Sequence, residues 1–225
     1  MEHRHPSQPA EPLSAPELEG RPVVDHARIA QAAAYAVTAH AGQTRKGTSV
    51  HYASHVLAVG ALVIEHGGTT EQVIAGFLHD VVEDCGGAAR LAEVRRVFGD
   101  EVADLVDAVS DAAPAPGEQK APWRERKEEY LAHLEELVEH RNAAVLVSAC
   151  DRLHNLTAIG EDLDDPAIGT DVFRRFNASL DDVKWNHESV VEVFVGAPDE
   201  LVPSRLKGRL ERALERVRRG AEEVA

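Results

Sequence analysis

Aromatic residues are scarce in this chain: two Trp, three Tyr and five Phe among 225 residues, or 4%. The apolar supply, 44% in total, is therefore mostly Ala, Val and Leu, which suits closely packed helices better than a sandwich or barrel. Cysteine is equally sparse. Cys85 and Cys150 are too far apart for a short metal-binding spacing and too few for a disulfide framework. No apolar run reaches membrane-spanning length, and Met1 to His5 is too polar to open a signal peptide. These absences place the chain in the cytoplasm. Positive charge is short as well: 24 Lys and Arg face 39 Asp and Glu, for a net charge of −15. That excludes coating of duplex nucleic acid or an anionic membrane, both of which need a basic face. A small anionic ligand stays open wherever a few basic residues converge.

Length and pattern give one principal domain. Residues 1 to 22 hold five of the eleven prolines and read as a flexible leader. Residues 23–197 carry a succession of helical segments, and 198–225 reads as a final helix packing on, or extending from, the domain. The helices expected are Val24–His40, Tyr52–Glu65, Thr70–Asp84, Ala89–Phe98, Glu101–Asp111, Trp123–Glu139, Asn142–Gly160, Val172–Val195 and Asp199 onward. Asp111 to Pro122 contains Pro114, Pro116, Gly117 and Pro122 and reads as a mobile loop, with a lid among its open uses. No alternating strand pattern competes and no repeat is visible, so the fold class is all-α, a helical bundle. The final stretch, Arg205 to Arg219, is rich in both signs and reads as an exposed or oligomer-forming helix.

The densest group of chemically active residues is His79-Asp80-Val81-Val82-Glu83-Asp84. On one continuous helix, His79, Asp80, Glu83 and Asp84 fall within an arc of about 140°. Carboxylates near a helix C-terminus are mildly unfavourable, so a solvated face competes with a compensating cation as the reason for the cluster. Adjacent His and Asp can both ligate a metal, leaving neighbouring carboxylates to act on water. His55 lies one turn into the preceding helix. Asp151 ends the apolar stretch Val145 to Cys150, where a carboxylate needs a partner: a cation, Arg152 or a capping role.

This order of motifs resembles the HD metal-dependent phosphohydrolase superfamily. More narrowly, three segments are similar to the hydrolase domains of RelA/SpoT-type alarmone enzymes, and especially to the stand-alone small alarmone hydrolases. The segments are Ala39-His40-Ala41-Gly42-Gln43-Thr44-Arg45-Lys46-Gly47, Gly76 to Asp84, and Asp151-Arg152-Leu153-His154-Asn155-Leu156; Trp123 to Lys127 also looks like the small hydrolases. The resemblance covers residues 25 to 195. It implies an HD-domain bundle in which His55, His79, Asp80 and Asp151 hold one divalent ion, usually Mn²⁺ in this family. Mixed imidazole and carboxylate donors also suit Zn²⁺ or Fe²⁺. It further implies that Glu83 and Asp84 position or deprotonate the attacking water, that Arg45 and Lys46 contact phosphate, and that Asn155 contacts the nucleotide. The implied reaction is removal of pyrophosphate from the 3′ position of guanosine tetra- or pentaphosphate, giving GDP or GTP.

Some segments depart from the family pattern. Val50-His51-Tyr52 replaces a Pro-Tyr pair before the first ligand histidine, and the loop after Lys46 is one residue longer. The late-helix segment Trp185-Asn186-His187-Glu188 stands where many small relatives have Trp-Tyr-Tyr-Arg. An altered substrate pocket keeps two alternatives in play: another phosphorylated nucleotide, such as a 2′- or 3′-phosphorylated dinucleotide cofactor, or a nucleotide-binding relative without turnover. His40 and His154 are expected to pack helices or support the ligands. His26, His66, His133 and His140 are expected at the surface, Cys150 in the core, and Cys85 as a thiol that nothing activates. Homo-oligomerisation is left open.

Overall fold

The computed structural model describes residues 24–110 and 121–222. The leader and most of the Pro-rich loop expected at Asp111 to Pro122 therefore lie outside the described residues. Among those described, ten α-helices and one short 3₁₀ helix carry the fold, and the only β pairing is a single bridge between Thr44 and His51. The helices are α1 (His26–Ala39), α2 (Ala53–Glu65), α3 (Thr70–Leu78), α4 (Val81–Cys85), α5 (Gly87–Phe98), α6 (Asp100–Val109), α7 (Trp123–Glu139), α8 (Ala144–Asp164), the 3₁₀ helix (Gly169–Arg175), α9 (Leu180–Gly196) and α10 (Ser204–Glu222). The all-α reading holds. No helix among the described residues is long and apolar enough to cross a membrane.

Helix starts follow local chemistry. The Asp25 carboxylate accepts from the amides of Ala27 and Arg28 at the head of α1. Thr69 and Gln72 form a reciprocal capping box on α3, and Ser179 accepts from the Asp182 amide on α9. Helix α3 is the axle of the bundle: Thr70 and every residue from Val73 to Leu78 are buried, and α1, α2, α6 and α8 pack around it. Two glycines set how closely α2 approaches it. A Cβ on Gly60 would lie 2.4 Å from the Phe77 ring, and one on Gly76 would lie 3.2 Å from the Gly60 Cα. Only hydrogen fits there, and the contact brings the start of α2 and the end of α3 together.

Three expected elements differ. The helix expected over Thr70–Asp84 is broken: α3 ends at Leu78, α4 begins at Val81, and His79 and Asp80 form the joint. The helix expected over Val172–Val195 is a 3₁₀ turn ending at Arg175 followed by α9 from Leu180, because Ser179 caps a new start. The final helix is packed on the domain rather than loosely exposed. Leu206, Leu210, Leu214, Val217 and Ala221 recur every three or four residues and bury one face of α10 against α8 and α9. Its charged face is occupied too: Arg205 and Arg209 pair with Glu65 at 2.7 and 2.8 Å, and Arg218 with Glu188 at 2.7 Å. Arg209 also contacts His66 at 3.3 Å, which makes His66 a buried residue rather than a surface one.

Candidate metal centre and substrate cavity

The joint between α3 and α4 gives the site its geometry. On a straight helix His79 and Asp80 would diverge by about 100°. At the break, His79 Nε2 comes within 3.0 Å of Asp80 Oδ2. His55, near the start of α2, brings its Nε2 to 3.1 Å from His79 Nε2 and 3.3 Å from Asp80 Oδ2. From α8, Asp151 Oδ1 lies 3.2 Å from His55 Nε2 and 3.7 Å from His79 Nε2. The tightest set is His55, His79 and Asp80, whose ligand atoms all lie within 4.8 Å of one another.

These separations fit a bound cation. Donors about 2.1 Å from one ion stand roughly 3.0–3.4 Å apart in octahedral or tetrahedral arrangements, and four of the five distances fall in that interval. The imidazole tautomers agree. His79 Nδ1 meets the Gly76 carbonyl at 2.9 Å, so Nδ1 is the protonated nitrogen and Nε2 offers its lone pair to the centre. His55 is held at the back by His154, with their Nδ1 atoms 2.8 Å apart. In the bare protein, burial pushes the Asp80 carboxyl up, but the adjacent His79 and His55 outweigh it and hold it well below the usual carboxylate range. Burial likewise pushes His79 down, and Asp80 and Asp151 overturn this and raise it well above an ordinary histidine. Each group leans on opposite charge, as a cation site without its ion requires.

Around this centre runs a supporting network. The Tyr52 hydroxyl donates to Asp80 Oδ2 at 2.5 Å, and burial followed by the Asp80 charge pushes its own pKa up. Arg45 donates to Asn155 Oδ1 at 2.7 Å, and Asn155 Nδ2 donates to Asp151 Oδ1 at 2.7 Å, so the loop before α2 is tied to α8. Gln43 Nε2 donates to Asp84 Oδ2 at 2.7 Å, while its Oε1 pairs with His40 Nδ1 at 2.7 Å. His154 is held neutral, first by burial and then by the nearby His55, with a pKa near 4. Cys85 is pushed up by burial and donates to the Ala39 carbonyl, so it is not an activated thiol; Cys150 is buried in the core.

The centre opens on a cavity of about 590 Å³. His79, Asp80 and Asp151 are on its wall, together with Arg45, Lys46, Glu83 and Asn155. Five basic residues line it in a chain of net charge −15: Arg45, Lys46, Lys127, Arg152 and Arg175. Of the residues singled out from sequence, His55, His79, Asp80 and Asp151 converge, and Arg45, Lys46, Glu83 and Asn155 share their cavity. Asp84 is exposed and held by Gln43, outside the cavity wall. The charge run after Trp123 is more than a solvated helix start, because Trp123, Lys127 and Tyr130 reach the wall. Arg124 stacks 3.3 Å over the Trp185 ring and clasps α7 to α9. Sequence reasoning missed Tyr52, although its place three residues before His55 put it on the same face, and it missed the cavity position of Arg152; the late-helix segment read as altering the pocket does place Asn186 and His187 on the wall.

Comparison with known proteins agrees with this architecture. The HD domain family model matches residues 32–177, about two thirds of the chain, and the chain belongs to that family. A Synechocystis protein named as a probable guanosine-3′,5′-bis(diphosphate) 3′-pyrophosphohydrolase is 32% identical over 138 residues, 60% of this chain but 17% of the relative. The Escherichia coli K12 bifunctional (p)ppGpp synthase/hydrolase SpoT is 31% identical over 136 residues, 59% of this chain and 18% of its own length. The chain thus spans under a fifth of these relatives. Among solved structures, a Listeria monocytogenes EGD-e protein aligns with a TM-score of 0.58 and 28% identity, covering 72% of this chain and 96% of its own. A metazoan ortholog of SpoT, described as hydrolysing ppGpp, shares the fold with a TM-score of 0.63 at 24% identity, covering 88% and 99%.

Proposed function

We propose that this chain is a metal-dependent phosphohydrolase that removes pyrophosphate from the 3′ position of guanosine tetra- or pentaphosphate, with Mn²⁺ as its ion. The observation that carries the reading is the convergence of His55, His79, Asp80 and Asp151, at coordination-like separations, on a cavity that also holds Arg45 and Lys46. The relatives' names supply the substrate. A divalent cation bound by the four residues supplies Lewis acidity toward a phosphoryl oxygen.

The chain's own groups do the rest. Glu83, exposed on α4 and facing the cavity, takes the proton of the attacking water. Asp84, anchored by Gln43, keeps a second carboxylate beside it. Water adds to the phosphorus bound to the 3′ oxygen, that P–O bond breaks, and the 3′ oxygen leaves with a proton. Arg45 and Lys46 absorb the charge that gathers on the phosphoryl oxygens, and the Arg45–Asn155–Asp151 chain keeps that pair in register with the ligands. The two unpaired thiols suit a reducing compartment such as the cytoplasm.

The test is turnover by metal-stripped protein refilled with Mn²⁺ and given guanosine tetraphosphate, beside the Asp80→Ala variant. Metal-dependent release of GDP and pyrophosphate, absent in the variant, is the expected result. No release by loaded protein sinks the substrate assignment. Asn186 and His187 favour a second reading, another phosphorylated nucleotide, which a screen including 2′- and 3′-phosphorylated dinucleotides addresses.

A further inference from the structure

His154 presents a polar atom to the cavity that none of the roles above employs. Its Nδ1 stands 2.8 Å from His55 Nδ1, so one of these two nitrogens donates a proton and the other accepts it. The ring is also on the cavity wall. Its second nitrogen, Nε2, makes no hydrogen bond with the described residues. Four side-chain atoms among those residues are sealed from solvent without a partner: His40 Nε2, Arg152 Nε, Asn186 Oδ1 and His187 Nε2. His154 Nε2 is not one of them, so it is open to what enters the cavity.

The other side of His55 sets the direction of the shared bond. His55 Nε2 is turned toward His79, Asp80 and Asp151, at 3.1, 3.3 and 3.2 Å, and offers its lone pair to a cation there. A neutral imidazole with its lone pair on Nε2 carries its proton on Nδ1, so His55 donates and His154 Nδ1 accepts. With that lone pair engaged, neutral His154 holds its own proton on Nε2. The cavity thus receives a neutral N–H donor. Arg45 is its neighbour: the guanidinium is bonded at 2.7 Å to Asn155, the next residue along α8. Burial, then the His55 and Arg45 charges, push the His154 ring toward its neutral form. Arg45 also only donates, and the group that suits both is one made of acceptors, such as the non-bridging oxygens of a phosphate. A neutral donor suits a place close to a cation, because it adds a hydrogen bond without adding positive charge.

We propose that His154 is a substrate-contacting residue that donates a hydrogen bond from Nε2 to a phosphoryl oxygen beside Arg45, with its proton placed by His55. This rests on the cavity being the phosphate-ester site and adds a contact to that reading. Two substitutions separate the two nitrogens. Asparagine reaches only the Nδ1 position, so His154→Asn keeps an acceptor for His55 and loses the cavity donor. Glutamine reaches the Nε2 position, so His154→Gln does the reverse. In the Zn²⁺-loaded full chain with ¹⁵N-labelled histidine, nitrogen–proton correlation spectra should show His154 protonated on Nε2 alone, and that nitrogen should shift as inorganic phosphate is added. His154→Asn should hold metal like the wild type while losing phosphate affinity, and kcat/KM on guanosine tetraphosphate, on the order of tenfold or more. His154→Gln should instead weaken metal affinity by about 10–100-fold and, once loaded, bind phosphate like the wild type.

A proton on His154 Nδ1 overturns the proposal. So does an Nε2 signal that ignores phosphate, or wild-type phosphate affinity in His154→Asn. If a variant fails to fold, the wild-type spectra still decide. The two proposals also fail separately. A chain whose His154 Nε2 responds to phosphate but that does not hydrolyse guanosine tetraphosphate loses the proposed reaction alone. One that hydrolyses it equally well as His154→Asn loses the donor alone.

Discussion

Two groups of side chains at the cavity are built on opposite plans. Around His55, His79, Asp80 and Asp151, nearly every polar atom is engaged: Tyr52 on Asp80, the Gly76 carbonyl on His79, His154 on His55 and Asn155 on Asp151. By contrast, Arg152, Asn186 and His187 keep three buried atoms without partners. The same helix, α8, supplies Asp151 to the first group and Arg152 to the second, so the contrast is not one of overall packing quality. A site that performs chemistry has to be held in its working arrangement before substrate arrives, and mutual hydrogen bonds do this.

The largest expected effect breaks the organised group outright. Asp80→Ala should abolish turnover and lower bound metal, measured by elemental analysis beside the activity assay; full metal content and activity would remove Asp80 from the ligand set. Next, Glu83→Gln should cut kcat by about 10²–10⁴-fold while leaving metal content and nucleotide binding intact, and an unchanged kcat would pass the proton-transfer role to Asp84. Removing core volume should spare the contrast and cost stability instead. Leu156, fully buried on α8, when truncated to Ala should lower unfolding free energy by about 2–5 kcal/mol in urea titrations. An unchanged urea midpoint would show that Leu156 does not carry the packing assigned to it.

A smaller effect sharpens the comparison at the metal centre. Tyr52→Phe removes only the hydroxyl that holds Asp80 and should weaken metal affinity or activity by about 10–100-fold; a wild-type metal titration would make the bond incidental. The smallest effect concerns pH and His187. Folded His187 takes up a proton only near pH 3, against an ordinary value of 6.5, because it is buried beside Arg152 and Lys127. Its stabilising contribution is therefore complete above about pH 6.5 and is lost as the pH falls toward 3, since the unfolded chain binds a proton that the folded one refuses. Thermal unfolding of His187→Gln across that window should show a shallower fall than the wild type, and identical slopes would mean that His187 titrates normally.

How much of this was readable from the sequence differs between the same two groups. The candidate ligand residues sit in short segments with strong local character: a His-Asp pair after an apolar run, and an Asp at the end of another. Their chemistry survives any uncertainty in helix boundaries. The supporting bonds were harder to see. Tyr52, Gln43 and His154 each act on a residue that the sequence did mark, but hydrogen bonds reaching across 28, 41 and 99 positions leave no periodic trace. The break between α3 and α4 was missed because Val73 to Asp84 holds neither Pro nor Gly apart from Gly76, inside α3, and a continuous helix is what such a stretch ordinarily forms.

By itself, then, the sequence determined the helical class, the residues able to bind a cation, and the basic pair Arg45-Lys46 in an otherwise acidic chain. These follow from composition, periodicity and the fixed chemistry of side chains, all local properties. Only the tertiary structure decided that Gly60 and Gly76 let α2 and α3 close up, that the chain turns between His79 and Asp80, and that α10 buries its leucines against α8 and α9. It alone brought Arg152, 35 positions from His187, into hydrogen-bond contact with it across the cavity wall. Whether a buried polar atom is paired depends on what packs opposite it, and no one-dimensional pattern carries that information.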